Sequence, residues 1–277
     1  MSKKILFPTD FSAASKNAFT YALKLADAIQ AEVVTIHVYQ VPQANFVNAA
    51  EYLHEMYDVT ELSNFENYKD EVPALRKIAD ENNLNHIKIN HVLISGNLVQ
   101  EVKKMTDLGD YDFVIMGTKG VTSLKETFFG TNATQVMNEI KTVVIVVPEN
   151  CVYQPVKKIL FLTQYKEEDT EPFKTVLSLA HTFGASIDCL HIVNPDKKNV
   201  ENSKEQWKAL VEDKEVNFNS ITGDDKEGIA IEYIESNQVS MVGMHVYHRN
   251  FFEKLFEISL SKKLAFHINI PILAIHK

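Results

Sequence analysis

Two stretches of the chain carry residue types that can hold a phosphate and a base. The first is Gly117-Thr-Lys-Gly120 followed by Gly130-Thr131, the pattern G-x2-G-x9-G-[ST]. Glycines admit positive φ and let backbone amides approach a phosphate closely. Thr131 opens a helical stretch, whose unpaired N–H groups and dipole favour an anion, and its hydroxyl adds one more donor. The second is Thr9-Asp10-Phe11 together with His37-Val38-Tyr39. Asp10 can accept hydrogen bonds from an adenine or ribose edge, and Val38 offers apolar surface and backbone groups to a base. Taken singly, each has an ordinary alternative. Glycine pairs make turns, Asp10 suits a helix N-terminus, His37 suits a satisfied strand histidine, and Lys119 and Lys125 suit solvated loop lysines. The pattern is neither a P-loop nor a dinucleotide fingerprint, and it does not separate one nucleotide from another.

What would bring these residues together is a parallel sheet. Lys4–Phe7 reads as a short apolar strand. Ser12–Ile29 is helical by period, with Ala14, Ala18, Tyr21, Ala22, Leu25 and Ile29 on one face and Ser12 as N-cap. Glu32–Val38 is rich in β-branched residues and reads as a strand. Glu66–Asn82 looks helical apart from Pro73, and Ile87–Ile94 alternates as a strand. Leu98–Leu108 is a helix, Phe113–Met116 a buried strand, Asn132–Ile140 a helix and Val143–Val147 a final strand. Short apolar strands alternating with helices predict a parallel sheet covered on both faces, with right-handed crossovers. Ligands in such folds bind outside the carboxyl ends of the strands, near the switch in strand order. Thr9, Asp10, Val38 and Gly117 all fall at such ends.

The chain also repeats itself. KKILFPT at residues 3–9 returns as KKILFLT at 157–163, an offset of 154 (157 minus 3) that also maps Leu23 on Leu177, Ala26 on Ala180 and His37 on His191. TVVIVV at 142–147 matches IPILAI at 270–275 at an offset of 128. The second copy is thus the shorter, and residues 42–72 are mostly an addition in the first. Its Tyr52, Leu53, Met56, Tyr57 and Leu62 fit either helical packing over the domain or an interaction surface. Pro148–Pro155 breaks the pattern between copies, giving domains 1–150 and 151–277.

The 277 residues suffice for two cores, with 45% hydrophobic residues and a net charge of −9. The acidic balance argues against nucleic-acid or anionic-membrane binding. It leaves room for a small anion held by backbone amides. Cys151 and Cys189 form no CxxC pair, which favours a reducing, cytoplasmic setting over a disulfide framework or zinc site. The N-terminus has no apolar signal core, and no apolar run is long enough to span a bilayer.

KKILFPTDFS, TIHV and MGTKG…FGTNA…TVVIVVP together resemble the universal stress protein family, and the likeness extends to both halves as a tandem arrangement. The resemblance implies two flavodoxin-like α/β domains related to adenine-nucleotide-binding folds, each a five-stranded parallel sheet covered by helices on both faces. It implies ATP, or AMP or ADP, bound by Thr9, Asp10, Val38 and Met116, with Asp10 and Val38 at the adenosine. Gly117, Gly120, Gly130, Thr131 and the backbone at Asn132 would then hold ribose and phosphates, with Mg²⁺ or Mn²⁺ on the phosphates. Family members pair through their last strands, here Val143–Val147 and Ile272–Ile275, which in one chain makes an intramolecular pseudo-dimer and leaves room for a homodimer of chains.

The second half departs from the pattern. Gln164 stands for Asp10, and Gly243 is followed by Met-His-Val-Tyr-His-Arg without a second glycine. Ile258-Ser259 falls where Gly130-Thr131 would be, and a β-branched residue resists positive φ. The second half is therefore expected not to bind ATP in the family manner. His245, Tyr247, His248 and Arg249 form a polar cluster there, while Phe251, Phe252, Leu255 and Phe256 have helical spacing. Three function classes follow: a nucleotide-binding module with one competent site, a slow ATPase, or a scaffold acting through oligomerisation. No residue is clearly placed as a base beside the phosphates, so the module leads.

Overall fold

The computed structural model describes residues 3–40, 50–118, 131–195, 207–208, 215–246 and 269–276, without the side chains of 50–59 and 227. The first half runs β1 (Lys3–Pro8), α1 (Ala13–Ile29), β2 (Ala31–Tyr39), α2 (Ala50–Glu81), β3 (Ile89–Ser95), α3 (Leu98–Leu108), β4 (Phe113–Gly117), α4 (Thr131–Glu139) and β5 (Val143–Val147). The second runs β6 (Lys158–Leu162), a 3₁₀ turn (Glu167–Asp169), α5 (Thr170–Phe183), β7 (Ser186–Val193), β8 (Val216–Thr222), α6 (Lys226–Ser236), β9 (Met241–His245) and β10 (Ile272–Ile275).

All ten strands join one sheet in the order β3-β2-β1-β4-β5-β10-β9-β6-β7-β8. Read inward from either edge, the order is the same, 3-2-1-4-5. Neighbours are parallel except β5 and β10, which pair antiparallel with Ile272 opposite Val146 and Ala274 opposite Val144. Alternation along each strand feeds two cores. Ile5, Phe7 and Ile145 pack with α1, α2 and α5, whereas Leu6, Val144 and Val146 pack with α3, α4 and α6. Burial on both faces explains why these strands read as unbroken apolar runs.

Ser12 caps α1, its hydroxyl accepting the Ser15 N–H at 3.1 Å. The helix over 66–82 starts earlier than expected, at Ala50, and runs through Pro73. Proline removes one helical hydrogen bond, but Pro73 sits on the exposed face, and Leu75 and Ala79 anchor the following turn in the core. Leu62 and Phe65 of this helix are exposed.

The connection between halves is tied down. Asn17 donates to the carbonyls of Cys151 at 2.8 Å and Pro148 at 3.3 Å, and Cys151 and Val156 are buried. Both cysteines are free. Burial pushes the Cys151 thiol up to about 11 and raises Cys189 further still. Because the thiolate is the reactive form, a disulfide-exchange reagent near neutral pH is expected to leave both untouched in the folded chain and to titrate both after denaturation. Rapid labelling of either in the folded chain would contradict this burial.

Across the seam, His276 Nε2 donates to the Met137 carbonyl at 2.8 Å. Burial holds the His276 imidazole below its usual pKa; the Met137 hydrogen bond opposes this and the His245 charge adds to it. His91 is lowered likewise, by burial and by Arg76. The unfolded chain therefore takes up these protons first as pH falls. Stability from both groups is intact above about pH 6.5 and declines below it. Denaturation midpoints compared on the two sides of that pH should fall on the acidic side. No helix among the described residues is long and apolar enough to cross a membrane.

Candidate functional site

The strand order reverses between β1 and β4, which neighbour each other while β1 leads to β2 on its other side. Three ends meet there. Thr9 continues the ladder past β1, its N–H donating to the Ile36 carbonyl at 2.9 Å. Since Pro8 pairs with Ile36, Asp10 stands level with Val38. On the other side Leu6 pairs with Val114, so Met116 and Gly117 reach the same edge.

The turn after β1 is built from short side chains. Thr9 Oγ1 lies 2.8 Å from Ser15 Oγ and accepts the Phe11 N–H at 3.1 Å. Asp10 Oδ1 accepts the Ser12 N–H at 3.1 Å. His37 Nδ1 donates to the Thr9 carbonyl at 2.8 Å, which fixes its tautomer. Phe11 is held at φ 59°, the left-handed region, a conformation uncommon for a bulky residue and concentrated where strain serves a site. Its ring packs on His37 at 5.0 Å and edge-on to Tyr68 at 5.9 Å.

Val38 and Asp10 are half-buried, and Met116 is buried. Gly117 has a packing role that its spacing did not reveal. A Cβ there would meet the Ala14 carbonyl oxygen at 3.1 Å and its carbon at 3.2 Å, so β4 can lie against the first turn of α1 only without a side chain. Thr131 and Asn132 open α4 and are exposed. Gly120 and Gly130 lie outside the described residues, as do Lys119, Lys125, Tyr247–Arg249, Phe251–Phe256 and Ile258-Ser259. The structure thus gathers Thr9, Asp10, Val38, Met116 and Gly117 on one edge.

The second half repeats the turn with different chemistry. Tyr165 takes the place of Phe11 at φ 54°, and its hydroxyl donates to the Asn219 carbonyl at 2.9 Å. Asp169, at the position of Ser15 by the 154 offset, is fully buried. Its Oδ2 accepts from Thr163 Oγ1 at 2.9 Å and from the Gln164 N–H at 3.0 Å, and its Oδ1 meets His245 Nδ1 at 3.2 Å. This buried pair went unread in the sequence. Aligning the copies column by column, with a charge replacing Ser15, was the signal that could have found it. Among the described residues no group of three or more His, Cys, Asp or Glu could hold a metal ion.

The profile of the universal stress protein family matches residues 1–148. Universal stress protein MJ0531 of Methanocaldococcus jannaschii is 31% identical over 146 residues, 52% of this chain and 81% of that protein. Universal stress protein MJ0577 of the same organism is 26% identical over 157 residues, 53% of this chain and 95% of that protein. At full length, the crystal structure of a universal stress protein from Archaeoglobus fulgidus shares the fold, with a TM-score of 0.72 at 15% identity over 100% of this chain and 97% of that one. With its first 148 residues matched in this way, and a doubly wound sheet like that of its relatives, the chain belongs to the universal stress protein family.

Proposed function

We propose that the chain is an adenine-nucleotide-binding module of the stress response, acting in the cytoplasm, with one competent site in the domain 1–150. The observation that carries this is the meeting of Thr9, Asp10, Val38, Met116 and Gly117 at the switch point of the sheet, where α/β folds take ligands. Val38 and Met116 supply apolar walls for a base, and Asp10 an acceptor for adenosine. The glycines of 117–130 and the start of α4 at Thr131 supply amides for phosphates. Mg²⁺ or Mn²⁺ would be held chiefly through those phosphates.

The domain 151–277 has Gln164 for Asp10 and lacks the second glycine, so its role is regulatory or in assembly. Pairing of β5 with β10 serves as the internal counterpart of a dimer contact. Asp10 and His37, the titratable groups at the edge, are engaged with the Ser12 amide and the Thr9 carbonyl. That favours binding over hydrolysis.

Purified chain, denatured and its supernatant chromatographed, is expected to release adenine nucleotide, and added ATP to raise the melting temperature. No nucleotide and no shift would sink the reading. Two nucleotides per chain would contradict the single site.

A further inference from the structure

We propose that the second half carries a ligand site of its own: a cleft at the carboxyl ends of β6, β7 and β9 that takes a small monocarboxylate with a short apolar body. The cleft measures about 80 Å³. At roughly 10–15 Å³ for each water-sized atom, it has room for about six such atoms. A nucleotide needs several hundred cubic ångströms, as drug-sized ligands do.

The lining sets the chemistry. Leu162, Leu190, Ile192 and Met244 make the apolar part, each at most 7% exposed. Such a surface desolvates whatever enters and favours an aliphatic body. Thr163 and Gln164 form the polar rim, and His191 adds an imidazole to the lining. That rim is rigid because buried Asp169 accepts from both residues and is itself paired with His245. In the first half Ser15 occupies this position, and its hydroxyl lies within hydrogen-bond distance of Thr9 Oγ1.

Lys226, the first residue of α6, supplies the cation. Its ammonium makes no ion pair with any described residue. One ammonium beside an apolar pocket matches one carboxylate. A phosphate needs more donors, and the chain after Gly243 runs Met-His-Val with no second glycine to offer close backbone amides. The site therefore selects by its apolar walls and by charge. It does not depend on the nucleotide reading of the first half.

The test uses the full chain with labelled methyl groups and sodium butyrate as probe, with butyramide as the uncharged match. Butyrate is expected to shift the methyl signals of Leu162, Leu190, Ile192 and Met244 saturably, leaving those of Val38 and Met116 in place. Loss of a charge-assisted hydrogen bond costs about tenfold or more in affinity. Butyramide should therefore bind about tenfold more weakly, and Lys226→Gln should weaken butyrate by a similar factor while its spectrum stays native. The proposal is overturned by absence of saturable shifts, by equal affinity for butyrate and butyramide, or by a Lys226→Gln chain that binds as wild type. Saturation of the same second-half methyls by ATP would overturn it as well. Loss of ATP binding in the first half would leave these results unchanged, so the two readings fail separately.

Discussion

Asp169→Ala is expected to cost about 3 kcal/mol or more of stability, because each buried donor left without its acceptor costs about 1–3 kcal/mol. Three groups lose their acceptor together: His245 Nδ1, Thr163 Oγ1 and the Gln164 N–H. Asp169 is fully buried and His245 nearly so, so water cannot replace the carboxylate without opening the core. Urea denaturation measures the loss as a lowered midpoint at unchanged slope. The paired change Asp169→Ala with His245→Ala should recover part of it, because the imidazole that bonded the carboxylate is then gone too. A cost below about 1 kcal/mol for the single change would mean that the pair is not holding the turn.

Gly130→Val is expected to abolish ATP binding and leave the melting temperature of the ligand-free chain nearly unchanged. Two amide hydrogen bonds to a charged phosphate, at about 1.5–3 kcal/mol each, correspond to about a hundredfold or more in affinity. Gly117→Val makes the contrast. Its added atoms would be driven into the Ala14 backbone, already 3.1 Å from a Cβ alone, so stability should fall along with binding. Calorimetric titration with thermal melts of both variants separates a ligand contact from a packing one. Full ATP affinity in Gly130→Val would remove the phosphate loop from the site.

Local pattern reveals far more of this molecule than of its site. Val143–Val147 and Phe113–Met116 read as buried strands because they are apolar on both faces, and Ser12 reads as a cap because a hydroxyl before an amphipathic run has few other uses. Where reading failed, a solvent-facing position or a long loop in sequence intervened. Pro73 marks a helix break only if its lost bond is buried, and it is not. Asp169 and His245 are 76 residues apart, and neither belongs to a periodic pattern. The left-handed turn at Phe11 was equally hidden, since an aromatic residue is the last that propensity would place there. It recurs at Tyr165, so the backbone of that turn outlasted the exchange of the side chains around it.

The antiparallel seam between β5 and β10 has an evolutionary consequence. In a dimer of identical chains one gene segment encodes both sites, so a substitution that spoils one spoils the other. Here the contact lies within a single polypeptide, at an effective concentration that dilution cannot lower. Each copy can mutate alone while the seam persists. Gln164 in place of Asp10, and a buried carboxylate in place of Ser15, are changes that such a genetic arrangement lets accumulate on one side only.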